Sequence, residues 1–362
     1  MESKLLKCSE LNDFKEWERL CLSAPHCDIY FFPQYVKIYE LNGEGEGYCF
    51  VYYKSKNSYV LLPFIKRDIN ELDIFKDLKE TFYDIISPYG YGGPFIVNNG
   101  KINDERFKDG FLEEFNKFCI GSSIITEFCR LHPILENYKF LTGKLDIQKR
   151  NETVYIDITQ EINAIWKDIR KGHKSSIKKA RKNNVEIIED KTFEYLEDFL
   201  KLYYLTMNKR GAKSYYYFPR ALFKNTIKFL NGNVKLFIAR YNSKIISASL
   251  FMHYGDYIHY HFSSSDPDYL HLCANNLLIY KVALWAKEKG FKFFHLGGGV
   301  DAPEDSLFRF KSGFSNNRST FFTYNRVYNK SVYEFLCKKK IEHEKQNNIQ
   351  NINIDYFPIY RR

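Results

Sequence analysis

Residues 272–314, LCANNLLIYKVALWAKEKGFKFFHLGGGVDAPEDSLFRFKSGF, constrain the chain more than any other stretch, because the backbone must change habit several times within it. Asn275 or Asn276 is a helix start, since a short polar side chain can accept from the free N–H groups of a first turn. Leu278, Val282 and Trp285 recur at helical spacing and give the helix one apolar face. Gly290 ends it by taking the left-handed conformation that other residues resist. Residues 291–296 are too short and too aromatic to continue as helix, so they predict a buried strand running directly into Gly297, Gly298 and Gly299. The following LFRFKSGF run reads as a basic, aromatic loop that carries Phe308, Arg309, Phe310 and Lys311.

What precedes this stretch fits an α+β unit. Residues 165–183 form the most basic segment, read as helical, and 193–207 and 219–230 have helical patterns. Three β-rich runs, 234–241, 245–253 and 257–264, are joined by the short connections 242–244 and 255–256, which predicts an antiparallel meander. Helices, a meander, then a helix feeding a strand make one compact architecture. The first half repeats the order loosely. Helical patterns surround Phe14, Trp17 and Leu20, then Tyr35, Ile38 and Tyr39, and a hairpin joins 48–54 to 59–65. A breaker-rich rigid loop occupies 87–94, a helix 104–118, and strands 123–129 and 153–158. The expected organisation is two fused halves with a cleft between them, residues 1–150 and 151–328. Residues 329–362 add a Lys-rich helix and tail docked on the second half.

Composition narrows the partners. With 362 residues and 44% hydrophobic content the chain can bury two ordinary cores, and its formal net charge of +10 favours polyanions: phosphorylated substrates, nucleic acid or an anionic membrane surface. No run is long and apolar enough to span a bilayer, and the N-terminus lacks an apolar stretch of signal type, so the expected location is the cytoplasm. The 8 cysteines show no CxxC or other metal-ligand spacing, which predicts buried free thiols rather than a zinc site or a disulfide framework.

Several residues could carry chemistry. The run WKDIRKGHKSSIKKARKNN leaves a broad cationic face suited to phosphate, or simply a solvated surface. His259 and His261 share one strand face, opposite Ile258, Tyr260 and Phe262. No third ligand lies near them in sequence, so no metal site is expected, and His261 remains a candidate for proton handling. Asp301, Glu304 and Asp305 are available as bases or as partners of an ammonium. No Ser-His-Asp, Cys-His or paired-carboxylate arrangement is readable, which leaves open an acyl transfer that relies on positioning and oxyanion stabilisation.

The helix ending AKEKG, the strand FKFFHLGGG and the LFRFKSGF run resemble the second half of the FemABX and BioF2-like acyltransferases, a branch of the GNAT superfamily. SPYGYGGP, RLHPILEN and IRKGHKSSIKKARKNNVEI agree with that family in order, so the likeness spans roughly residues 32–324. It implies two GNAT-like halves and assigns expected roles. Lys311 would meet acceptor phosphate or the developing negative charge and Phe310 would shape the pocket; Asp301, from its place near the loop and not from the resemblance, is taken as the third member of the catalytic group. Arg210, Arg309 and Tyr91 would hold the acceptor. Leu272, Cys273, Ala274, Asn275 and Asn276 would lie where GNAT proteins cradle a donor. Cys273 and Ala274 stand where glycines are expected for coenzyme A, which leaves aminoacyl-tRNA as an open donor beside acyl-CoA, with no tightly bound cofactor.

The implied activity is transfer of an aminoacyl or acyl group to an amino group of a phosphate-bearing cell-envelope precursor, of peptidoglycan type or an amino sugar. The implied partners are that precursor and tRNA, with peripheral contact at the inner membrane surface and no DNA. An acyl-CoA-dependent sugar N-acetyltransferase and a non-enzymatic RNA-binding protein are the alternatives.

Overall fold

The computed structural model describes residues 2–97, 104–300, 305–349, 353 and 356–362. In chain order, the first run contains β1 (Glu2–Lys7), α1 (Leu11–Ser23), α2 (Pro33–Leu41), β2 (Glu46–Ser55), β3 (Ser58–Asp68), β4 (Tyr83–Ile86), β5 (Phe95–Val97), α3 (Glu105–Gly121), β6 (Ile124–Arg130) and α4 (Tyr138–Leu141). There follow β7 (Ile147–Asp157), α5 (Ile162–Asp168), α6 (Lys171–Lys182), β8 (Glu186–Asp190), α7 (Leu196–Arg210), α8 (Arg220–Leu230), β9 (Val234–Tyr241), β10 (Lys244–Tyr254) and β11 (Tyr257–Ser265). The chain ends with α9 (Ala274–Glu288), β12 (Phe293–Gly297), α10 (Ser306–Lys311), β13 (Arg318–Val327) and α11 (Lys330–Gln346).

These elements form two compact units. The first comprises Met1–Pro25, Tyr30–Arg150 and Phe321–Arg362, and the second His26–Ile29 and Asn151–Thr320. In the first, the strand order is β1-β2-β3-β4-β6-β13, with β5 beside β3. Its neighbours are antiparallel except β4 and β6, which are parallel and are connected in the chain through α3. A parallel pair needs a crossover, and a helix that buries one face supplies it. Phe107, Phe111, Phe115 and Cys119 are the buried stripe of α3, and they pack with Phe50, Tyr52, Phe64 and Ile124 of the strands.

The second unit repeats this plan with the order β7-β12-β11-β10-β9-β8. Here β9, β10 and β11 form the expected meander, and β11 pairs parallel with β12 after the crossover through α9. The α9 residues Leu278, Val282, Ala283 and Ala286 lock onto Phe237, Phe251, Ile258 and Phe294. The molecule is thus an α+β protein of two fused halves with the same local order.

Three expectations needed correction. The terminal helix does not dock on the second half: Leu336 and Cys337 of α11 pack on Ile69, Phe75 and Ile125 of the first unit, together with Tyr360. The tail is pinned there by Arg361 Nε on the fully buried Asp84 carboxylate and by Arg362 Nη2 to Glu344 Oε2 at 2.7 Å. The basic segment is not one helix, because Ile169 and Arg170 adopt extended conformations between α5 and α6. The cap of α9 is not an asparagine. Cys273 holds that position at φ 57°, and its carbonyl accepts from Asn276 N at 3.1 Å.

All eight cysteines are free thiols, and every one but Cys273 is buried. Among the described residues no helix is long and apolar enough to cross a membrane.

Candidate functional site

The polar centre of the second unit gathers where β12 ends. Beyond β12, Gly299 passes so close to Asp305 that a Cβ there would lie 2.6 Å from the carboxylate oxygens, which only glycine permits. Asp305 then caps α10, accepting from Phe308 N at 2.7 Å through Oδ1 and from Val300 N through Oδ2. Both oxygens are thereby engaged by backbone, so Asp305 is a structural cap. Asp301 and Glu304 lie outside the described residues.

The LFRFKSGF run is therefore not a loop as expected. Its first residues form the short helix α10, and Lys311, its last residue, is buried at 8% exposure. The Lys311 ammonium donates to the Gly298 carbonyl at 2.7 Å and stands 6.0 Å from the centroid of the Tyr260 ring. Burial pushes its pKa down to about 7; the positive charge of Arg210 adds to the fall and Asp305 opposes it. A lysine that titrates near neutrality can switch between ammonium and amine at working pH, a state that proteins reach by taking the group out of water.

Tyr260 owes its place to an irregularity. Between β10 and β11 the register runs Leu250 to Phe262, then Phe251 to Tyr260, stepping past His261. Such a bulge bends a strand and re-aims its side chains. The Tyr260 hydroxyl donates to Ser263 Oγ and accepts from Asn275 Nδ2 at 2.8 Å, which ties β11 to the first turn of α9. Burial raises the Tyr260 pKa and holds that of His261 down at about 3, so His261 is a neutral imidazole at working pH.

Of the residues expected at the site, Lys311, Arg210 and Asn275 are brought around Tyr260. Arg210 ends α7, is exposed, and is near enough for its charge to act on both Lys311 and Tyr260. Leu272 and Ala274 are buried in the apolar core beneath, while Cys273 is half-buried and Asn276 buried at the start of α9. Phe310 is half-buried. Its ring packs on His173 and Phe314, with centroids 5.4 and 5.3 Å away. Arg309 is exposed. Tyr91 belongs to the first unit, where it makes edge contacts with Tyr30, His132 and Phe321.

Sequence reasoning missed His173, Tyr260 and the capping role of Asp305. His173 sat in a run of lysines where only its charge was considered. Tyr260 was read as one more apolar strand residue.

Opposite Tyr260 on β11, His259 is buried with Nε2 2.7 Å from Asp28 Oδ2 and Nδ1 3.3 Å from His295 Nδ1 on β12. Phe294 and Leu296 face the α9 core, so His295 projects from the other sheet face, away from Tyr260.

A parallel strand pair with a crossover helix, a bulged central strand and polar groups at the strand end describe the GNAT-like fold suggested by the sequence, and residues 167–312 match the family described as acetyltransferase (GNAT) domain. The chain has the fold of FemX. The crystal structure of FemX superposes with a TM-score of 0.68 at 13% identity, covering 92% of this chain and 99% of that one. The C-terminal domain of a putative lysylphosphatidylglycerol synthetase from Agrobacterium fabrum matches with a TM-score of 0.52 and 13% identity, over 89% of this chain and 94% of that one. L-PGS from Bacillus licheniformis matches with a TM-score of 0.53 and 10% identity, over 90% and 94%. No curated protein matches the chain by sequence. In this FemX-like chain the GNAT match includes α6, α7, the meander, α9 and α10, and so holds all the groups around Lys311.

Proposed function

We propose that this protein is a GNAT-type acyltransferase that moves an aminoacyl group onto an amino group of a phosphate-bearing cell-envelope precursor. The observation that carries the reading is the pair of cations at the end of β12: Lys311, buried with a pKa near 7, and the exposed Arg210 acting on it. In the reaction the acceptor amine attacks the ester carbonyl of the donor. The tetrahedral oxyanion develops against the Lys311 ammonium, and as it collapses the C–O bond to the donor breaks, the proton shed by the attacking amine passing to the leaving donor oxygen, which departs as a free hydroxyl. Lys311 supplies charge where charge appears, in a site from which water is excluded. Arg210, at the rim, is suited to hold the acceptor phosphate.

Two features favour aminoacyl-tRNA over acyl-CoA. Cys273 occupies a left-handed conformation at the start of α9, where glycine would leave the backbone open to a pyrophosphate. The outward side of α6 exposes Lys171, Lys178, Lys179 and Lys182, a row suited to an extended polyanion. A relative with this fold is described as a putative lysylphosphatidylglycerol synthetase, named for an aminoacyl group carried by a phosphate-bearing lipid. By the same reasoning the protein would work in the cytoplasm, at the inner membrane surface where such precursors lie.

The test compares initial rates with charged tRNA and with acetyl-CoA, each with a nucleotide-linked muramyl peptide as acceptor, over a salt series. With tRNA as donor the rate should fall steeply as salt rises, because phosphate contacts release counterions. A salt-insensitive reaction that runs on acetyl-CoA alone would replace this reading with the sugar N-acetyltransferase.

A further inference from the structure

We propose that His173 is a positioning residue that holds the helix bearing Lys311 at its working height, so that the basic helix α6 and the catalytic lysine move as one body. The inference rests on the role given to Lys311 above. It starts from a problem of stability. The helix α10 spans only Ser306–Lys311, and a single turn and a half has almost no stability of its own. Something outside it must fix where Lys311 sits. At its N-terminal end Asp305 does so. At its C-terminal end the Phe310 carbonyl accepts from Gly313 N at 3.1 Å and, through its second lone pair, meets the imidazole of His173, whose Nε2 is 2.8 Å away.

The ring is seated as well as bonded. Its centroid lies 5.4 Å from that of Phe310 and 4.7 Å from that of Phe314, and it fills the space where a side chain at position 313 would begin. A Cβ on Gly313 would come within 2.3 Å of the imidazole. Two neighbouring bonds from the α5–α6 junction continue the clamp. Arg170 N donates to the Gly313 carbonyl at 2.9 Å, and the Asp168 carboxylate accepts from Ser315 Oγ and Asn316 N, each at 2.9 Å. His173 is thus the member of this clamp nearest Lys311, bonded to the residue immediately before it.

The chemistry of the bond suits a permanent fixture. Burial lowers the His173 pKa, the Phe310 carbonyl opposes that fall, and the Arg170 charge adds to it. A neutral imidazole whose Nε2 carries the proton donates to the carbonyl, and protonation would leave that donor in place. On the other side of the helix, α6 presents Lys171, Lys178, Lys179 and Lys182 to solvent. An anionic chain resting on them is therefore held in register with Lys311 through His173.

The test uses the full chain with His173→Ala and with His173→Gln, whose side-chain amide can still donate to the Phe310 carbonyl. Lys311 is read directly: acetic anhydride labelling of its amine across a pH series, quantified by peptide mass spectrometry, should give a midpoint near pH 7 in the parent protein. In His173→Ala water reaches the loosened helix, and the midpoint should rise by about one pH unit or more. The groups whose charges act on Lys311, Arg210 and Asp305, are unchanged. With the substrates above, kcat should fall roughly ten- to a hundredfold while KM for the donor stays nearly constant. His173→Gln should recover most of both.

If His173→Ala melts lower yet keeps its labelling midpoint and kcat, the residue only packs and the proposal is overturned. A Gln variant that folds normally and recovers neither reading overturns it too. The labelling arm needs no substrate. A shifted midpoint with no acyl transfer by any variant supports the positioning role while removing the acyltransferase reading. An unmoved midpoint in an active enzyme does the reverse.

Discussion

Replacing Lys311 by methionine should lower activity and make the protein more stable, and the pH dependence of the gain checks the reasoning. The lysine pKa is pushed from 10.5 to about 7 by burial above all. The unfolded chain keeps the ordinary 10.5. Between pH 7 and 10.5 the unfolded state therefore binds a proton that the folded state lacks, and stability rises with pH across that window. The penalty is absent above pH 10.5 and complete below about pH 7. Its size follows from the difference, 10.5 − 7, or 3.5, at about 1.4 kcal/mol per pH unit, which gives an upper figure of about 5 kcal/mol. Loss of the bond to the Gly298 carbonyl returns about 1 kcal/mol. Methionine keeps the unbranched stem without the charge, so the net gain at pH 6.5 should be roughly 2–4 kcal/mol. For a chain of 362 residues that corresponds to a Tm increase of about 3–5 °C, shrinking to almost nothing near pH 10.5. Thermal unfolding followed by circular dichroism at several pH values measures it. A variant that is less stable than the parent at pH 6.5, or a gain that does not vary with pH, would refute the account of Lys311 as a buried cation held against its solvation preference. The catalytic half of the same prediction uses kcat/KM. If the ammonium is the working form, kcat/KM of the parent falls above about pH 7, Lys311→Met loses roughly ten- to a hundredfold at pH 6.5 and shows no such limb. A parent rate that instead climbs through pH 7 would make Lys311 a base.

Gly313→Ala should cost about 1–3 kcal/mol in urea unfolding, since the new methyl meets the His173 ring in a filled space. Arg361→Ala should cost about 3 kcal/mol, because Asp84 is fully buried and, among the described residues, would keep only Arg67 as an ion-pair partner; an unchanged urea midpoint would show the tail to be loosely attached. Reversing the exposed Lys178, Lys179 and Lys182 to Glu should leave Tm within a degree or two and weaken charged-tRNA binding by at least tenfold at low salt, with a flatter salt dependence. Equal binding by that variant would return the α6 face to ordinary solvated surface.

The fold was legible where periodicity and punctuation agree. The α9 pattern, its glycine stop and the aromatic strand after it are local signals, and the two-residue connections of the meander leave little freedom in topology. The second half was the easier to read for that reason. β1 went unread because it lacks the alternation of a half-buried strand: its first four residues are all exposed and only Leu6 is buried. The docking of α11 was misassigned because nothing local says which core a terminal helix will meet. Leu336 and Cys337 are two small apolar contacts, and the choice is made by Arg361 and Arg362 finding Asp84 and Glu344, partners far away in the sequence.

The site was legible in its residues and illegible in their states. Lys311 was identified by resemblance, as a loop lysine that meets acceptor phosphate or the developing negative charge. The same residue at the end of a capped helix is a buried amine, and its burial is decided by groups brought from elsewhere in the chain. Gly298 gives it a carbonyl, Tyr260 a ring set by a strand irregularity, and His173 a fixed height. None of these leaves a mark at position 311. A lysine at the end of LFRFK is compatible with water or with burial, and with a pKa of 10 or of 7. Tyr260 shows the same limit from the other side. Alternation correctly sets it opposite His259 on β11, but only the register step past His261 aims its hydroxyl at Asn275 and its ring toward the lysine. A pairing irregularity depends on both strands at once, so it cannot be read from either one. What gives Lys311 its chemistry is therefore the cost of keeping water away from it, and that cost belongs to the assembled unit, not to the motif.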